Sequence, residues 1–352
     1  MKILFEHDFL YYLPQFEPII IWLKNQGKHE IFASLNQSVP KIEKDVFKKE
    51  MHRLGVEIVH GNFEPQRRRI IKDMNFDIIF VGNKSSLSAI KNTNAFSVMI
   101  YHGIGLKQSY YSDLTHEMDL ICVESRDRVD QLKSDGFNGV ETGFLKLDLL
   151  KSQKELSTEP EVLYAPTYFP SSLKKTIPIL TKLKDFKLKI KLHHFYWTNP
   201  TYIKIRKELE LAIQTNSEIE IASFNQYNIL PFYETADLLI SDFSSTLFEF
   251  LALNRPIIQT TYSTLRLKYK LIPNLLNKRL DQHRISQVDF TAVCDSSEKL
   301  GEIIQKSLRS YTDLEEKRKK AKTLFLGQCD GKATERLITA INISGIPIGV
   351  SE

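Results

Sequence analysis

The sequence predicts an α/β protein built from two Rossmann-like parallel-sheet domains that face each other across a cleft. Three observations predict this fold class. The chain has 352 residues, more than one hydrophobic core usually holds. Short β-rich runs alternate with amphipathic segments through both halves. One polar stretch without periodicity, ended by a proline, separates the halves.

In the first half, six β-rich runs alternate with helical patterns. The predicted strands are Lys2–Phe5, Glu30–Ala33, Val56–His60, Asp77–Gly82, Ser97–Tyr101 and Asp119–Glu124. The predicted helices are Gln15–Gln26, Pro40–Leu54, Pro65–Met74 and Ser125–Ser134. Strands separated by helices of this length indicate βαβ units and therefore a parallel sheet.

The polar stretch Lys151–Pro160 is the expected linker, so we expect an N-terminal domain at residues 1–152 and a C-terminal domain at 160–352. The predicted strands after it are Val162–Ala165, Leu188–His193, Glu218–Ala222, Asp237–Ser241, Pro256–Thr260 and Thr291–Cys294. Helices are expected from Asn199 to Ile213, from Ser296 onward and near Lys332–Ile343. Two such halves joined by one linker form the architecture called GT-B. Ligands of open parallel sheets lie beyond the carboxyl ends of the strands, so residues that directly follow strands are the first functional candidates.

Composition indicates an ordinary soluble protein, with 42% hydrophobic and 26% charged residues. No apolar run is long enough to cross a bilayer, and the charged N-terminus is typical of a first strand rather than a secretion signal. Cys122, Cys294 and Cys329 are odd in number and widely spaced, which favours a reducing cytoplasm over a disulfide framework or metal site. We therefore expect a cytoplasmic protein.

Basic residues cluster although the net charge is only +5. The clusters are Lys41–Lys49, Arg67–Arg69, Lys182–Lys191 and Lys317–Lys322. They are either solvated faces or surfaces that attract an anionic polymer or an anionic membrane, where the protein would bind peripherally on the cytoplasmic face. No nucleic-acid module accompanies them, so nucleic acid is not expected as a partner.

Hydroxyl residues follow the predicted strand Asp237–Ser241. Ser244, Ser245 and Thr246 come at the start of an expected amphipathic helix, where free backbone N–H groups, the helix dipole and three hydroxyls could bind a diphosphate. Glu249, one turn later, could accept hydrogen bonds from ribose hydroxyls, and Asp242 is a further candidate in the same stretch. The alternative is that Ser244 and Glu249 only cap the helix.

A histidine follows the strand Ser97–Tyr101. His102 precedes Gly103, whose lack of a side chain would let backbone or ligand approach closely. A histidine titrates near neutrality and can take a proton from an attacking hydroxyl, although one at a strand end can also be structural. Lys107 is a candidate phosphate contact or a surface residue.

Two further candidates follow strands in the second half. His193 lies at the exit of the strand Leu188–His193 and could donate to a phosphate oxygen or stabilise departing charge, with His194 as a weaker candidate. Either histidine could also be structural. Thr167 follows Val162–Ala165 through a proline and could line the donor pocket.

These elements, in this order, resemble the CDP-glycerol glycerophosphotransferase family of teichoic acid and capsule synthesis. The family's aromatic-His-Gly-Thr-Pro-Leu-Lys, Tyr-Ala-Pro-Thr and Lys/Arg-x-His-Pro motifs are similar to Tyr101–Lys107, Tyr164–Thr167 and Lys191–His194. Its Asp-x-Leu-Ile-Thr-Asp-Tyr-Ser-Ser-x-x-Phe-Asp block resembles Asp237–Glu249. The chain departs from the family at Ile104, Gly105, His194 and Glu249, while both histidines and the hydroxyl cluster are retained.

The resemblance implies transfer of an alditol phosphate from a CDP-linked donor to a hydroxyl of a glycan or lipid-linked acceptor. It also implies that the domain at 1–152 is the acceptor side and that the domain at 160–352 binds the nucleotide donor. It implies His102 as the general base, His193 as a phosphate ligand, Ser244, Ser245 and Thr246 as diphosphate ligands, and Glu249 as a ribose ligand. No cluster of cysteines or carboxylates suggests a built-in metal, which leaves Mg²⁺ to arrive with the substrate.

Two alternatives use the same scaffold differently. One is a nucleotide-sugar glycosyltransferase or UDP-sugar epimerase of GT-B fold, which also binds a diphosphate at a polar loop. The other is a non-catalytic protein that binds a nucleotide or a glycopolymer.

Overall fold

A computed structural model of the chain describes residues 1–84, 87–106, 114–151 and 159–349. These residues form two compact units. Unit 1 comprises the described residues of 1–103, 114–149 and 324–349. Unit 2 comprises 104–106, 150–151 and 159–323. The candidate Lys107 and most of the expected linker lie outside the described residues.

Unit 1 is built on a parallel sheet of seven strands in the order β3-β2-β1-β4-β5-β6-β7. The strands are β1 Lys2–His7, β2 Glu30–Leu35, β3 Glu57–Ile58, β4 Ile78–Val81, β5 Phe96–Ile100, β6 Leu120–Val123 and β7 Gly139–Glu141. Its α-helices are Leu13–Gln26, Lys41–Leu54, Glu64–Asp73, Leu87–Ile90, Arg126–Ser134 and Ala333–Ile343. The middle strands are buried on both faces, which suits a parallel sheet covered by helices.

The last helix of the chain belongs to unit 1. The carboxylate of Asp148 accepts hydrogen bonds from the backbone amides of Ala333 (3.0 Å) and Thr334 (2.7 Å), and so caps the first turn of Ala333–Ile343. Arg336 Nε donates to the carbonyl of Thr142 at 2.7 Å. The structure therefore differs from the expected division at 152/160, because residues 324–349 pack with the N-terminal sheet.

Unit 2 contains a second parallel sheet, of six strands in the order β10-β9-β8-β11-β12-β13. The strands are β8 Glu161–Ala165, β9 Lys187–Ile190, β10 Ile219–Ile221, β11 Leu238–Ser241, β12 Ile257–Thr260 and β13 Ala292–Cys294. Its α-helices are Leu173–Thr176, Phe195–Thr198, Pro200–Ile213, Leu230–Thr235, Thr246–Glu249, Leu267–Leu271, Pro273–Arg279, Gln282–Ser286, Leu300–Arg309 and Glu315–Leu326, the last of which begins in unit 2.

Both sheets show the strand order of a Rossmann fold, so the prediction of two Rossmann-like parallel-sheet domains is confirmed. All twelve predicted strands are present, with bounds shifted by a few residues. Strand β7 was not predicted, because Gly139–Glu141 is short and only half-buried and so carries no apolar run. In each sheet the first three strands follow one another to one side, and the later strands are added on the other side of the first strand. This reversal of strand order lies between β1 and β4 in unit 1 and between β8 and β11 in unit 2.

Candidate active site

In unit 2, three neighbouring strands deliver the predicted residues to one edge of the sheet. Thr167 follows β8, His193 follows β9, and Ser244 follows β11, and these strands lie in the order β9-β8-β11. Adjacent strands are ~4.8 Å apart, so the three loops begin within about 10 Å of one another. Since the strand order reverses between β8 and β11, this edge is where an open parallel sheet binds its ligand.

Asp242 holds two of these loops together. Its Oδ1 accepts a hydrogen bond from the amide of Thr167 (2.7 Å), and its Oδ2 accepts from the amide (3.0 Å) and hydroxyl (3.1 Å) of Ser172. The side chain is fully buried. Asp242 therefore fixes the loop after β8 against the end of β11, which is a positioning role.

The three predicted hydroxyls are not equivalent. Ser241 Oγ donates its proton to the carbonyl of Ala165 (2.6 Å), so in its 2.8 Å contact with Thr246 it must accept, and Thr246 is the donor. The hydroxyl proton of Thr246 is thus used within unit 2. Ser244 and Ser245 are half-buried, and Ser245 Oγ makes no hydrogen bond to another described residue. Two hydroxyls, Ser244 and Ser245, are left as donors to a ligand.

The helical stretch after these hydroxyls is more buried than predicted, and only its first turn is α-helical. The α-helical part covers only Thr246–Glu249 and continues as a 3₁₀ turn, Phe250–Leu253, which ends at Asn254 in the left-handed conformation (φ 53°). Every residue from Leu247 to Leu253 is buried, so the helix is not amphipathic. Because one turn of helix has only a small macrodipole, the binding of an anion here depends on the hydroxyls and on nearby cations.

Glu249 is buried, with 2% of its surface exposed, and accepts a hydrogen bond from the hydroxyl of Tyr233 at 2.8 Å. Burial raises the pKa of Tyr233 well above its usual value, and the neighbouring Glu249 raises it further, so this phenol stays a donor. One carboxylate oxygen of Glu249 is therefore already engaged, and its contact with a ribose stays a prediction.

His193 presents a defined donor. Its Nδ1 accepts a hydrogen bond from the amide of Phe195 at 3.2 Å, which in the neutral imidazole leaves the proton on Nε2. The ring lies 4.7 Å from that of Tyr168 and 4.6 Å from that of His194, centre to centre. An Nε2–H group is suited to donating to a phosphate oxygen.

Arg279 is a candidate site residue that no sequence motif marks. Its Nη2 donates to the hydroxyl of Tyr168 at 3.2 Å, and its guanidinium lies 5.5 Å from the ring centre of Phe169. Tyr168 thus contacts both His193 and Arg279. No local motif marks Arg279, since it lies more than a hundred residues from Tyr168 at the end of the helix Pro273–Arg279.

In unit 1, His102 is held by aromatic rings. It follows β5 and stacks on Tyr12 with ring centres 4.8 Å apart and planes 17° apart, and Tyr11 meets it edge-on at 5.1 Å. Asn83 Nδ2 donates to the hydroxyl of Tyr12 at 2.6 Å. A Cβ at Gly82 would lie 2.5 Å from the Tyr12 ring, so glycine is required there. Neither Tyr11 nor Tyr12 was predicted as a site residue, because the loop after β1 carries no motif. Gly103 is buried beside His102.

Within the described part of the chain, no group of three or more His, Cys, Asp or Glu side chains is arranged to hold a metal ion. No described helix has the length and apolar character needed to span a membrane.

The sequence profile of the CDP-glycerol:poly(glycerophosphate) glycerophosphotransferase family matches residues 128–342, more than half of the chain. The chain belongs to this family. As a CDP-glycerol glycerophosphotransferase-like transferase, it uses a CDP-glycerol type of donor and a glycan acceptor. The matched region contains Thr167, His193, Ser244 and Ser245, and His102 lies before it.

Solved structures share the fold of this glycerophosphotransferase. The wall teichoic acid polymerase TagF superposes with a TM-score of 0.67 at 16% identity, over 97% of this chain and 88% of that one. MnaA of S. aureus, solved with UDP, gives 0.65 at 14% identity over 100% and 99%. The UDP-GlcNAc 2-epimerase of Neisseria meningitidis gives 0.61 at 14% over 97% and 100%. No curated protein matches by sequence.

Proposed function

We propose that the chain transfers glycerol phosphate, or a related alditol phosphate, from a CDP-linked donor to a hydroxyl of a glycan or lipid-linked acceptor during cell-wall or capsule polymer synthesis. The observation that carries this proposal is the gathering of Thr167, His193, Ser244 and Ser245 after three neighbouring strands, at the point where the strand order of unit 2 reverses.

The residues of unit 2 bind the donor. The hydroxyls of Ser244 and Ser245 donate to the diphosphate, and His193 Nε2–H donates to the phosphoryl group that is transferred. Arg279, tied to Tyr168, supplies positive charge beside these donors. Thr167 lines the pocket in the loop that Asp242 fixes.

His102 of unit 1 acts on the acceptor. The acceptor oxygen attacks the β-phosphorus and gives its proton to His102, a new P–O bond forms, and the bond from the β-phosphorus to the bridging oxygen breaks. CMP leaves with that oxygen. The stack on Tyr12 supports this role because it restricts the imidazole to one orientation.

Phosphoryl transfer asks for positioning and charge stabilisation rather than covalent chemistry, which agrees with a site of hydroxyls, imidazoles and one guanidinium. The proposal includes no resident metal, and Mg²⁺ would enter bound to the donor's diphosphate. Comparing the rate of CMP release with added Mg²⁺ and with excess chelator measures how much Mg²⁺ contributes to the rate.

A panel of donors tests the function. The purified protein is incubated with CDP-glycerol, CDP-ribitol, UDP-sugars and GDP-sugars together with an acceptor, and released nucleotide is measured. The proposal expects CMP from a CDP-alditol and neither UDP nor GDP. UDP release would favour the glycosyltransferase alternative, conversion of a UDP-sugar without transfer would favour an epimerase, and donor binding without turnover would favour a binding protein.

The proposal also includes peripheral contact with the cytoplasmic face of an anionic membrane. The support comes from a segment of unit 2 that no sequence pattern marks. Leu267 and Leu271 are 70% and 72% exposed, and Ile272 and Leu275 are exposed beside them. Lys268, Lys270 and Lys278 are exposed in the same segment. Apolar side chains among lysines are typical of a surface that lies on anionic lipid.

The basic cluster at Arg67–Arg69 gives weaker support. Arg67 is fully buried and paired with Glu6 (2.7 Å) and Glu64 (2.6 Å), and Arg68 also pairs with Glu64. Sedimentation with phosphatidylglycerol vesicles tests membrane contact, and replacing Leu267 and Leu271 by serine is expected to reduce it. Equal sedimentation of the variant would remove this segment from the proposal.

A further inference from the structure

A pocket of ≈ 380 Å³ lies in unit 1, at the carboxyl ends of β2 and β3. Its walls include Leu35 at the end of β2, residues 59–62 after β3, and one side of the helix Lys41–Leu54. Its floor is apolar, from Phe47, Ile58 and Val59, and its rim carries Lys44, Lys48 and His60. None of the lining residues is acidic.

The rim keeps its positive charge. Lys44 Nζ donates to the carbonyl of Gln37 at 2.7 Å, which leaves it two further N–H donors. Lys48 is exposed and forms no ion pair with the described residues. Burial lowers the pKa of His60, and the charge of Lys48 lowers it further, so the positive charge of the rim comes from the two lysines.

The neighbouring carboxylate does not cancel this charge. Glu64 Oε2 accepts from the amide of Gln37 at 2.9 Å, next to the pocket. The same carboxylate is bound by Arg67 (2.6 Å) and Arg68 (2.8 Å), so two guanidinium groups already neutralise it. The pocket therefore presents net positive charge above an apolar floor, which suits a ligand with anionic groups joined by a carbon chain.

The pocket lies on the same edge of the sheet as His102. Because the strands are parallel, the carboxyl ends of β2 and β5 face the same way, and they are separated by three strand spacings in the order β2-β1-β4-β5. At ~4.8 Å for each spacing, the pocket begins about 14 Å from the strand that carries His102. A ligand that reaches both is longer than a single alditol phosphate.

We propose that this pocket binds a phosphodiester of an acceptor chain of glycerol phosphate units, several units away from the hydroxyl that reacts at His102. The inference rests on the proposed function for the position of the reacting hydroxyl. Lys44 and Lys48 contact the phosphodiester oxygens, and the apolar floor contacts the glycerol carbons. A concave pocket of this volume receives one polymer chain, whereas a bilayer is met by protruding side chains.

Binding of a fluorescent glycerol phosphate oligomer, long enough to span about 14 Å, tests this pocket in fluorescence anisotropy without any donor. In Lys48→Glu the affinity for the oligomer is expected to fall about fivefold to tenfold, and the loss should shrink at high salt. Lys49→Glu is the matched control, since Lys49 is exposed on the same helix but does not line the pocket. Its affinity should stay within about twofold of the wild type.

Equal affinities in Lys48→Glu and Lys49→Glu would overturn the inference, as would a wild-type protein that does not bind the oligomer. Binding to phosphatidylglycerol vesicles that depends on Lys48, with no oligomer binding, would overturn it in favour of a lipid surface. Thermal unfolding of both variants verifies that they fold. Since the assay contains no donor, its result is independent of the nucleotide panel that tests the proposed function.

Discussion

The ring of His102 stacks on the ring of Tyr12, and Tyr11 contacts its edge. In His102→Ala the aromatic cradle remains, while the group that takes the acceptor's proton is lost. We expect transfer to be abolished and CDP binding to stay within about tenfold, because the base acts on the acceptor and not on the donor. Single-turnover rates and calorimetry with CDP measure the two effects. Turnover near the wild-type rate would remove His102 from the mechanism.

For single residues, the sequence predicted which side chains follow the strands better than it predicted what those side chains contact. The polar residues after β8, β9 and β11 were recognisable because hydroxyls and histidines follow apolar runs. That Thr246 gives its proton to Ser241, and that Glu249 is buried against Tyr233, depends on contacts between elements. Arg279 carried no signal because its partner Tyr168 is remote in sequence.

The loop after β8 is held by a single buried carboxylate, Asp242. In Asp242→Asn an NH₂ group would face the amide and hydroxyl of Ser172, so one oxygen acceptor is lost in a buried setting. We expect the free energy of unfolding to fall by about 2–3 kcal/mol. The affinity for CDP should fall as well, because the loop that carries Thr167 loses its anchor.

Asp237→Asn is the matched control for this element. Asp237 is a buried aspartate that precedes β11, at its amino end, and its Oδ2 accepts from the amide of Glu161 at 2.9 Å. Chemical unfolding and calorimetry with CDP are measured on both variants. Loss of stability in both, with loss of CDP affinity only in Asp242→Asn, is the expected pattern. The same CDP affinity in both variants would mean that Asp242 has no role in the site.

At the scale of elements, the alternation of strands and helices predicted the two sheets, since buried parallel strands appear as short apolar runs. The segment Leu267–Arg279 was not predictable in the same way. Its leucines are exposed, so no apolar stripe marks a helix packed on a core. The helical stretch that begins at Thr246 ends at Asn254, but its second half, Phe250–Leu253, is 3₁₀ rather than α-helical, a difference that depends on packing and leaves no sequence pattern.

For the molecule as a whole, the division into units was only partly predictable. The linker could be placed near residue 150 because that stretch is polar. The return of Ala333–Ile343 to unit 1 depends on Asp148 and Arg336, whose partners are nearly two hundred residues away in sequence. Contacts between residues so far apart in the sequence leave no local sequence pattern.

The stability of the protein should depend on pH through Glu43. Its carboxyl is buried, which raises its pKa to about 7, although the amide of Leu10 donates to Oε1 at 2.6 Å. A carboxyl with a raised pKa stabilises the fold below its unfolded value of about 4.5, and this contribution is lost as pH rises through 7. Glu43→Gln removes the charge at every pH.

We therefore expect Glu43→Gln to be more stable than the wild type at pH 8, by about 1–3 kcal/mol, and to lose that advantage near pH 4.5. Urea unfolding of both proteins at the two pH values measures the difference. His7, whose pKa burial lowers to about 4, titrates in both proteins and cancels in the comparison. A difference that is the same at both pH values would contradict this account of Glu43.

We propose that Ser244 and Ser245 bind the diphosphate of a cytidine nucleotide at the edge of the second sheet. Calorimetry of CDP and of cytidine with the wild type and with the double variant Ser244→Ala/Ser245→Ala measures this contact. We expect the double variant to bind CDP at least about tenfold more weakly while its affinity for cytidine is unchanged, because only the phosphate contacts are lost. CDP binding as tight as in the wild type would contradict the claim.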